Sequence, residues 1–300
     1  MDDFITIVEV GPRDGLQNEA KRLSTSLKIE LIDRLANCGV PVVESGSFVS
    51  PKWVPQMAGT DEVLAGITAL PGTRYPVLVP NMRGFEMATQ AGVQEIALFA
   101  AASESFSQRN INCSINESIA RLKPVAEAAR AQGIRVRGYV SCVLGCPYEG
   151  EVDSAAVVSV CEQLLQIGCE ELSLGDTIGT GTPANASALI EEVSTLVNVE
   201  QLAVHFHDTY GQALANILAC LDAGIRIIDS SVSGLGGCPY AKGASGNVAS
   251  EDVVYMLHGL GLETGIDLAA LASTGDWISN QLQRPNNSKA GQALTNKLQG

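Results

Sequence analysis

Two of the protein's three histidines stand two residues apart, in His205-Phe206-His207-Asp208. On a strand, residues i and i+2 share a face, so both imidazoles would aim one way and Phe206 the other. Paired imidazoles at a strand end suit Mn, Fe, Co or Zn; the bland alternative is two satisfied core histidines. Arg13 and Asp14 adjoin in Gly11-Pro-Arg-Asp-Gly-Leu-Gln-Asn-Glu19, either as an ordinary surface pair or as a cation beside an anionic ligand. Glu44 interrupts the apolar run Val42-Val43-Glu44-Ser45-Gly46-Ser47. A carboxylate buried there needs a partner, and Arg13, from the neighbouring strand end, is the natural one. Such a pair would hold the guanidinium rigid for use on a substrate. Asp176 closes a further run, Ser173-Leu-Gly-Asp-Thr177, whose glycine-rich continuation reads as a turn.

The segment Gly234–Asn247 places five glycines in fourteen residues, together with Cys238-Pro239, Lys242 and Asn247. That composition makes a mobile loop, of the kind that closes over a site and excludes water. A thiol there is a better candidate for chemistry than the other seven of the eight cysteines, which are scattered and read as reduced core fillers. No CxxC pair is present to hold zinc. His258 falls in a late helix and reads as structural.

These residues need a frame. Strand-like runs recur at Ile5–Val10, Val40–Ser47, Tyr75–Val79, Glu95–Ala100, Ile134–Ser141, Glu171–Leu174, Leu202–His207 and Ile225–Ser231. Between them lie helical periods, among them Leu27–Ala36, Ile115–Arg130 and Ala155–Ile167. Gly39, Gly92, Gly133, Gly168 and Gly224 follow helices as stops, and Thr182-Pro183 reads as an N-cap with proline at the first helical position. Repeated helix, glycine and strand imply βα units and a parallel sheet. Eight strands predict a closed (β/α)8 TIM barrel rather than an open sheet, and no G-x-G-x-x-G follows a strand. The reading is one domain over residues 1–300: a barrel at about 4–260, then C-terminal helices near Glu251–Leu260 and Leu268–Leu282, and a polar, extended tail from Arg284. In such a barrel the chemistry sits at the carboxyl ends of the strands, where Arg13, Glu44, Asp176 and the two histidines fall.

Composition narrows the partners. With 46% hydrophobic and 17% charged residues the chain can bury one large core. Nineteen Lys+Arg against 33 Asp+Glu, a formal charge of −14, argue against nucleic acid and anionic membrane surfaces as partners. The start, Met1-Asp2-Asp3 followed by an apolar strand, has no basic leader and no spanning run, so a cytoplasmic protein is expected; a processed organellar enzyme would read alike.

Taken together, Gly11–Glu19, Asn110-Ile-Asn-Cys-Ser114, Ser173–Gly179, His205-Phe-His-Asp-Thr-Tyr-Gly211 and Gly234–Asn247 resemble the 3-hydroxy-3-methylglutaryl-CoA lyase family of metal-dependent barrel lyases. Arg-Asp and His-x-His belong to the wider group of lyases and Claisen-type synthases, whereas Gly-Gly-Cys-Pro-Tyr-Ala is narrower and points to the lyase. The resemblance implies retro-Claisen cleavage of 3-hydroxy-3-methylglutaryl-CoA to acetyl-CoA and acetoacetate, a step of leucine catabolism and ketone-body formation. It implies a divalent cation, Mg or Mn, held by Asp14, His205, His207 and the amide oxygen of Asn247. Arg13 would stabilise the thioester enolate, Glu44 would orient Arg13, Cys238 would move a proton and Asp176 would help position substrate. Arg13, Gln17, Ser47, Asn110, Ser173 and Thr177 would contact the acyl-CoA, and a homodimer is compatible with the family. The chain departs from the pattern where Ala20 takes a place commonly held by lysine, and in Gln283-Arg284-Pro285. Both regions, around Lys21 and around Arg284, are candidates for gripping CoA phosphates.

Two rivals stand beside this reading. One is a sister lyase or aldolase on the same scaffold, acting on another 3-hydroxyacyl-CoA or hydroxyacid. The other is a non-catalytic metal-binding barrel, against which Arg13, Cys238 and two histidines at one mouth argue.

Overall fold

The computed structural model describes residues 3–237 and 246–299. Eight parallel strands form the frame: β1 (Thr6–Glu9), β2 (Val42–Val43), β3 (Val77–Leu78), β4 (Glu95–Ala101), β5 (Arg135–Ser141), β6 (Glu171–Asp176), β7 (Leu202–Phe206) and β8 (Ile227–Ser230). They pair in the order β2-β1-β8-β7-β6-β5-β4-β3. The circuit closes between its two end strands, where Val43 N bonds Arg74 O, Ser45 N bonds Pro76 O and Leu78 N bonds Gly46 O at 2.8 to 3.0 Å. The expected TIM barrel is the observed one.

β2 and β3 are shorter than the sequence suggests, for local reasons. Gly46 has φ +155° and packs against Thr60, where a Cβ would lie 2.8 Å from that side chain, so the regular ladder ends before it. Pro76 has no N–H to give a ladder. The connecting helices include α1 (Thr25–Asn37), α2 (Thr60–Gly66), α3 (Met82–Gln90), α4 (Glu104–Ile111), α5 (Ile115–Ala131), α6 (Ser154–Ile167), α7 (Pro183–Val193) and α8 (Ala213–Asp222). The five glycine stops all adopt positive φ, from 69° to 110°. Thr182 holds the N-cap position of α7, but its side chain makes no capping bond.

Period-two alternation sorts the strands into two environments. Ile7, Ile96, Leu98, Val136, Val140, Leu172, Leu174, Val204 and Ile228 face the helix layer in one cluster that runs from Ile5 to Leu282. The alternate residues point inward, where Val8, Val10 and Val42 make a small apolar plug and Glu44, Arg137, Tyr139, Glu171, Ser173, His205 and Asp229 form a polar network. The C-terminal helices are α9 (Ser250–Gly259), α10 (Leu268–Leu282) and α11 (Lys289–Gln299). The last corrects the expected extended tail: Ser288 Oγ accepts from Gly291 N as an N-cap, and Asp252 accepts from the amides of Lys289 and Ala290. His258 lies in α9, with Nε2 3.1 Å from Thr264 Oγ1. Among the described residues no helix is long and apolar enough to cross a membrane.

Candidate metal and active site

At the carboxyl end of β1 the chain makes a tight π-helical turn, Gly11–Gly15, that presents Arg13 and Asp14 to the barrel mouth. Turns of this type recur at functional sites. Arg13 is buried; its Nε donates to Glu44 Oε2 and its Nη1 to Asp14 Oδ1, both at 2.7 Å. Two of its three nitrogens are thus tied to carboxylates, and the guanidinium is held with its edge in the cavity wall. Tyr139 OH donates to the same Glu44 oxygen at 3.2 Å, while Glu44 Oε1 is buried without a partner among the described residues.

β7 delivers His205 and His207 to the same mouth. Asp14, His205 and His207 each offer a ligand atom, all within 4.8 Å of one another. The protonation states suit a cation. Burial works against the Asp14 carboxylate, yet the charges of Arg13, His205 and His207 hold it ionised, down at about 2. Burial and the neighbouring His205 push His207 down to about 4, so its ring is neutral at physiological pH. His207 Nδ1 is moreover buried with no hydrogen-bond partner among the described residues. An ionised carboxylate, a neutral imidazole with an unsatisfied buried nitrogen and a second imidazole fit a divalent cation.

His205 is oriented from behind. Its Nδ1 lies 3.2 Å from Asp229 Oδ2, which leaves Nε2 toward Asp14 Oδ2 at 3.9 Å. Burial alone would lower His205, but the hydrogen bond to Asp229 and its charge raise it. A carboxylate behind a ligating histidine fixes its tautomer and increases its basicity. Asp229 accepts in turn from Arg137 Nη1 (3.0 Å) and Nη2 (2.6 Å) and from Ser173 Oγ (2.8 Å). Arg137 Nε bonds Glu171 at 2.6 Å and its Nη1 bonds Tyr139 OH at 3.0 Å. The lumen therefore carries one connected polar network, from Glu171 through Arg137 and Tyr139 to Glu44 and Arg13. Arg137, Tyr139 and Asp229 were not singled out in the sequence. The signal for Arg137 and Tyr139 was the alternation Arg135-Val-Arg137-Gly-Tyr139, which puts charged and phenolic groups on one face of a strand.

A cavity of about 1100 Å³ opens over this floor, lined by Arg13, Asp14, Gln17, Asn110, Thr177, His205 and His207 among others. Val49, Trp53, Val54, Leu78 and Met82 belong to its wall, as do Arg109 and Arg121. Several expected contacts lie elsewhere. Ser173 is fully buried beneath the site on Asp229. Ser47 Oγ is spent on Leu78 O across the β2–β3 closure. Asp176 gives both oxygens to its own turn, to the amides of Thr180 (3.2 Å) and Gly181 (2.8 Å), so it fixes the loop that carries Thr177. Lys21 donates to Gln281 O, and Arg284 pairs with Glu19 and Gly234 O. These two cations lock α10 to the N-terminal loop instead of facing the cavity, where Arg109 and Arg121 stand. Asn247 is beside the cluster, but its Nδ2 donates to Asp14 Oδ2 at 2.8 Å, so in this rotamer it braces that carboxylate. An amide flip would exchange nitrogen for oxygen. Cys238 lies outside the described residues; Gly236, just before it, donates its amide to Glu19 Oε1 at 3.2 Å.

Known proteins resemble the chain over most of its length. A mitochondrial hydroxymethylglutaryl-CoA lyase of Arabidopsis thaliana is 59% identical over 98% of the chain, which spans 63% of that protein's length. A 3-hydroxy-3-isohexenylglutaryl-CoA/hydroxy-methylglutaryl-CoA lyase of Pseudomonas aeruginosa is also 59% identical, with 98% of each covered. The crystal structure of a hydroxymethylglutaryl-CoA lyase from Pseudomonas aeruginosa superposes with a TM-score of 0.97 at 58% identity, covering 99% of both chains. The HMGL-like family matches residues 4–278, and with the barrel, the His-x-His strand and the Arg-Asp turn in place, the chain belongs to that family.

Proposed function

We propose that the protein is a divalent-cation-dependent carbon–carbon lyase that cleaves 3-hydroxy-3-methylglutaryl-CoA to acetyl-CoA and acetoacetate. The observation that carries this reading is the juxtaposition of Arg13, locked between Glu44 and Asp14, with the Asp14, His205 and His207 cluster under one large cavity. The names of the family relatives support it.

Asp14, His205 and His207 would hold the cation, Mg or Mn, with Asn247 as a fourth ligand after an amide flip or as the brace on Asp14. When bound, such a cation supplies Lewis-acid charge at the substrate's 3-hydroxyl. Transfer of the hydroxyl proton to a base at the site lets the C2–C3 bond break, with its electron pair passing to the thioester as an enolate. Arg13 places a fixed positive charge where that enolate oxygen forms, and its two carboxylate anchors mean that it need not reorganise as charge develops. Protonation at C2 then gives acetyl-CoA, and the former carbinol carbon becomes the ketone of acetoacetate. Cys238 is the proposed proton carrier, on the strength of its glycine loop. Gln17, Asn110 and Thr177 line the acyl-CoA path, and Arg109 and Arg121 replace Lys21 and Arg284 as contacts for the CoA phosphates.

The test is cleavage of the thioester by metal-stripped protein before and after Mg or Mn is restored. Restoration of turnover supports the proposal; full activity without metal overturns it. A panel of 3-hydroxyacyl-CoA thioesters with larger 3-alkyl groups separates this substrate from the bulkier one named for the Pseudomonas relative.

A further inference from the structure

Glu9 is a fully buried carboxylate that the mechanism above does not use. It ends β1 on the side away from the lumen, against the N-terminus of α9. Its Oε1 accepts from Gly11 N at 2.8 Å and from Val232 N at 2.9 Å, while Oε2 accepts from Ser250 Oγ at 2.5 Å. One carboxylate therefore ties three segments: the Arg13–Asp14 turn, the 231–237 stretch that leads to Cys238, and the helix that follows Asn247. Turn and stretch also touch directly. A Cβ on Gly11 would lie 3.2 Å from Ser231 Oγ, and one on Gly15 would lie 2.7 Å from both Leu235 Cβ and Ser231 Oγ. A second carboxylate, Glu251, accepts from Ser233 N at 2.9 Å and helps hold that residue at φ +58°.

We propose that Glu9 is a positioning residue for the cleavage: its carboxylate sets the spacing between the Arg13–Asp14 turn and the root of the Cys238 loop. The inference rests on the reaction proposed above. It predicts a dependence on shape rather than on charge, because both amides converge on one oxygen. Glutamine can keep Oε1 on Gly11 and Val232 and turn Nε2 to Ser250 Oγ, whose own hydrogen can then go to Ser230 Oγ, 2.8 Å away. Aspartate keeps the charge but is one methylene too short to span the gap. Burial, opposed by these same hydrogen bonds, pushes Glu9 up to about 7, which agrees with a position that tolerates a neutral group.

The experiment compares Glu9→Gln, Glu9→Asp and Glu9→Ala in the full chain, reading Mn²⁺ affinity by paramagnetic resonance, kcat and KM, and the rate of Cys238 alkylation by iodoacetamide. The expected result is a roughly 10-fold or greater loss of Mn²⁺ affinity and kcat in the Asp and Ala variants, the size usual for a support of a metal ligand. KM should hold, Cys238 alkylation should change, and Gln should restore all three. Wild-type Mn²⁺ affinity and kcat in Glu9→Asp would overturn the proposal, as would a Gln variant as impaired as the Ala one. Should Glu9→Ala not fold, Asp and Gln decide. If the wild type binds Mn²⁺ but does not cleave the thioester, the reaction reading fails by itself, and the Mn²⁺ arm still tests the spacing role.

Discussion

Replacing Asp229 by asparagine separates the two jobs proposed for one carboxylate beneath the Asp14, His205 and His207 cluster. Asp229 receives both terminal nitrogens of Arg137, Ser173 Oγ and the ring of His205. Asparagine preserves its shape and one acceptor oxygen but removes the charge and turns an NH2 toward one of those donors. Arg137 is almost wholly buried and would keep Glu171 as its remaining carboxylate. Breaking a buried ion pair costs about 3–5 kcal/mol, and the surviving partners put this case near the lower end, about 3 kcal/mol. At roughly 2–4 °C per kcal/mol for a large domain, Tm should fall by roughly 6–12 °C. The second cost falls on metal affinity: without a carboxylate on Nδ1, His205 loses basicity and its fixed tautomer, for a loss of about 10–100-fold. Ser173→Ala is the control, removing one hydrogen bond worth about 1 kcal/mol while leaving His205 on its carboxylate. Thermal melts of the metal-free proteins and Mn²⁺ titrations at one pH supply both readouts. An Asp229→Asn protein that melts early yet binds Mn²⁺ like the wild type would refute the reasoning, because the carboxylate would then serve Arg137 alone.

Arg13→Lys keeps a positive charge but cannot bridge Glu44 and Asp14 with one planar group, so kcat should drop roughly 10²-fold with KM little changed; a pure KM effect would move Arg13 to ground-state binding. Cys238→Ser should bind Mn²⁺ normally and lose most of its turnover, since a thiol ionises where a hydroxyl does not, and near wild-type kcat would remove the thiol from the mechanism. Glu251 is a stability probe: burial, against its backbone hydrogen bonds, raises it from 4.5 to about 8. A raised carboxyl holds its proton longer folded than unfolded, so its contribution is complete below pH 4.5 and is lost as pH climbs through 8. Glu251→Gln should therefore melt like the wild type near pH 4 and higher than it at pH 9; parallel melting curves across that range would sink the assignment.

What the sequence made legible is what period and residue type alone determine. Alternation and glycine stops delivered eight strands in place, and the lone carboxylate in an apolar strand announced its pairing with Arg13. The His-x-His spacing placed both rings on one face without reference to any other element. The lumen network was hidden because Arg137, Tyr139 and Asp229 belong to strands that are not sequential neighbours, and their meeting depends on register across β5 to β8. Lys21 and Arg284 show the converse. Their regions were candidates for CoA phosphates by family pattern, but a carbonyl at Gln281 and a carboxylate at Glu19 satisfy these two cations. The short C-terminal helix was within reach, since Ser288 stands at its cap, yet its polar sequence masked the period.

The β2–β3 closure has a kinetic consequence. β4 and β5 pair along seven residues, whereas β2 and β3 meet through a few backbone bonds interrupted at Gly46 and Pro76. Local opening follows the thinnest hydrogen bonding, so the amides of Ser45, Phe48 and Leu78 should exchange with deuterium ahead of those of Val136 and Val140. Val49, Trp53 and Leu78 also belong to the cavity wall, with Trp53 87% exposed. A breathing seam there would widen the mouth without loosening the β5–β8 arc that carries Arg137, His205 and Asp229. If the proposed function holds, admission of a bulky thioester and retention of a small ion would fall to different sectors of one closed sheet.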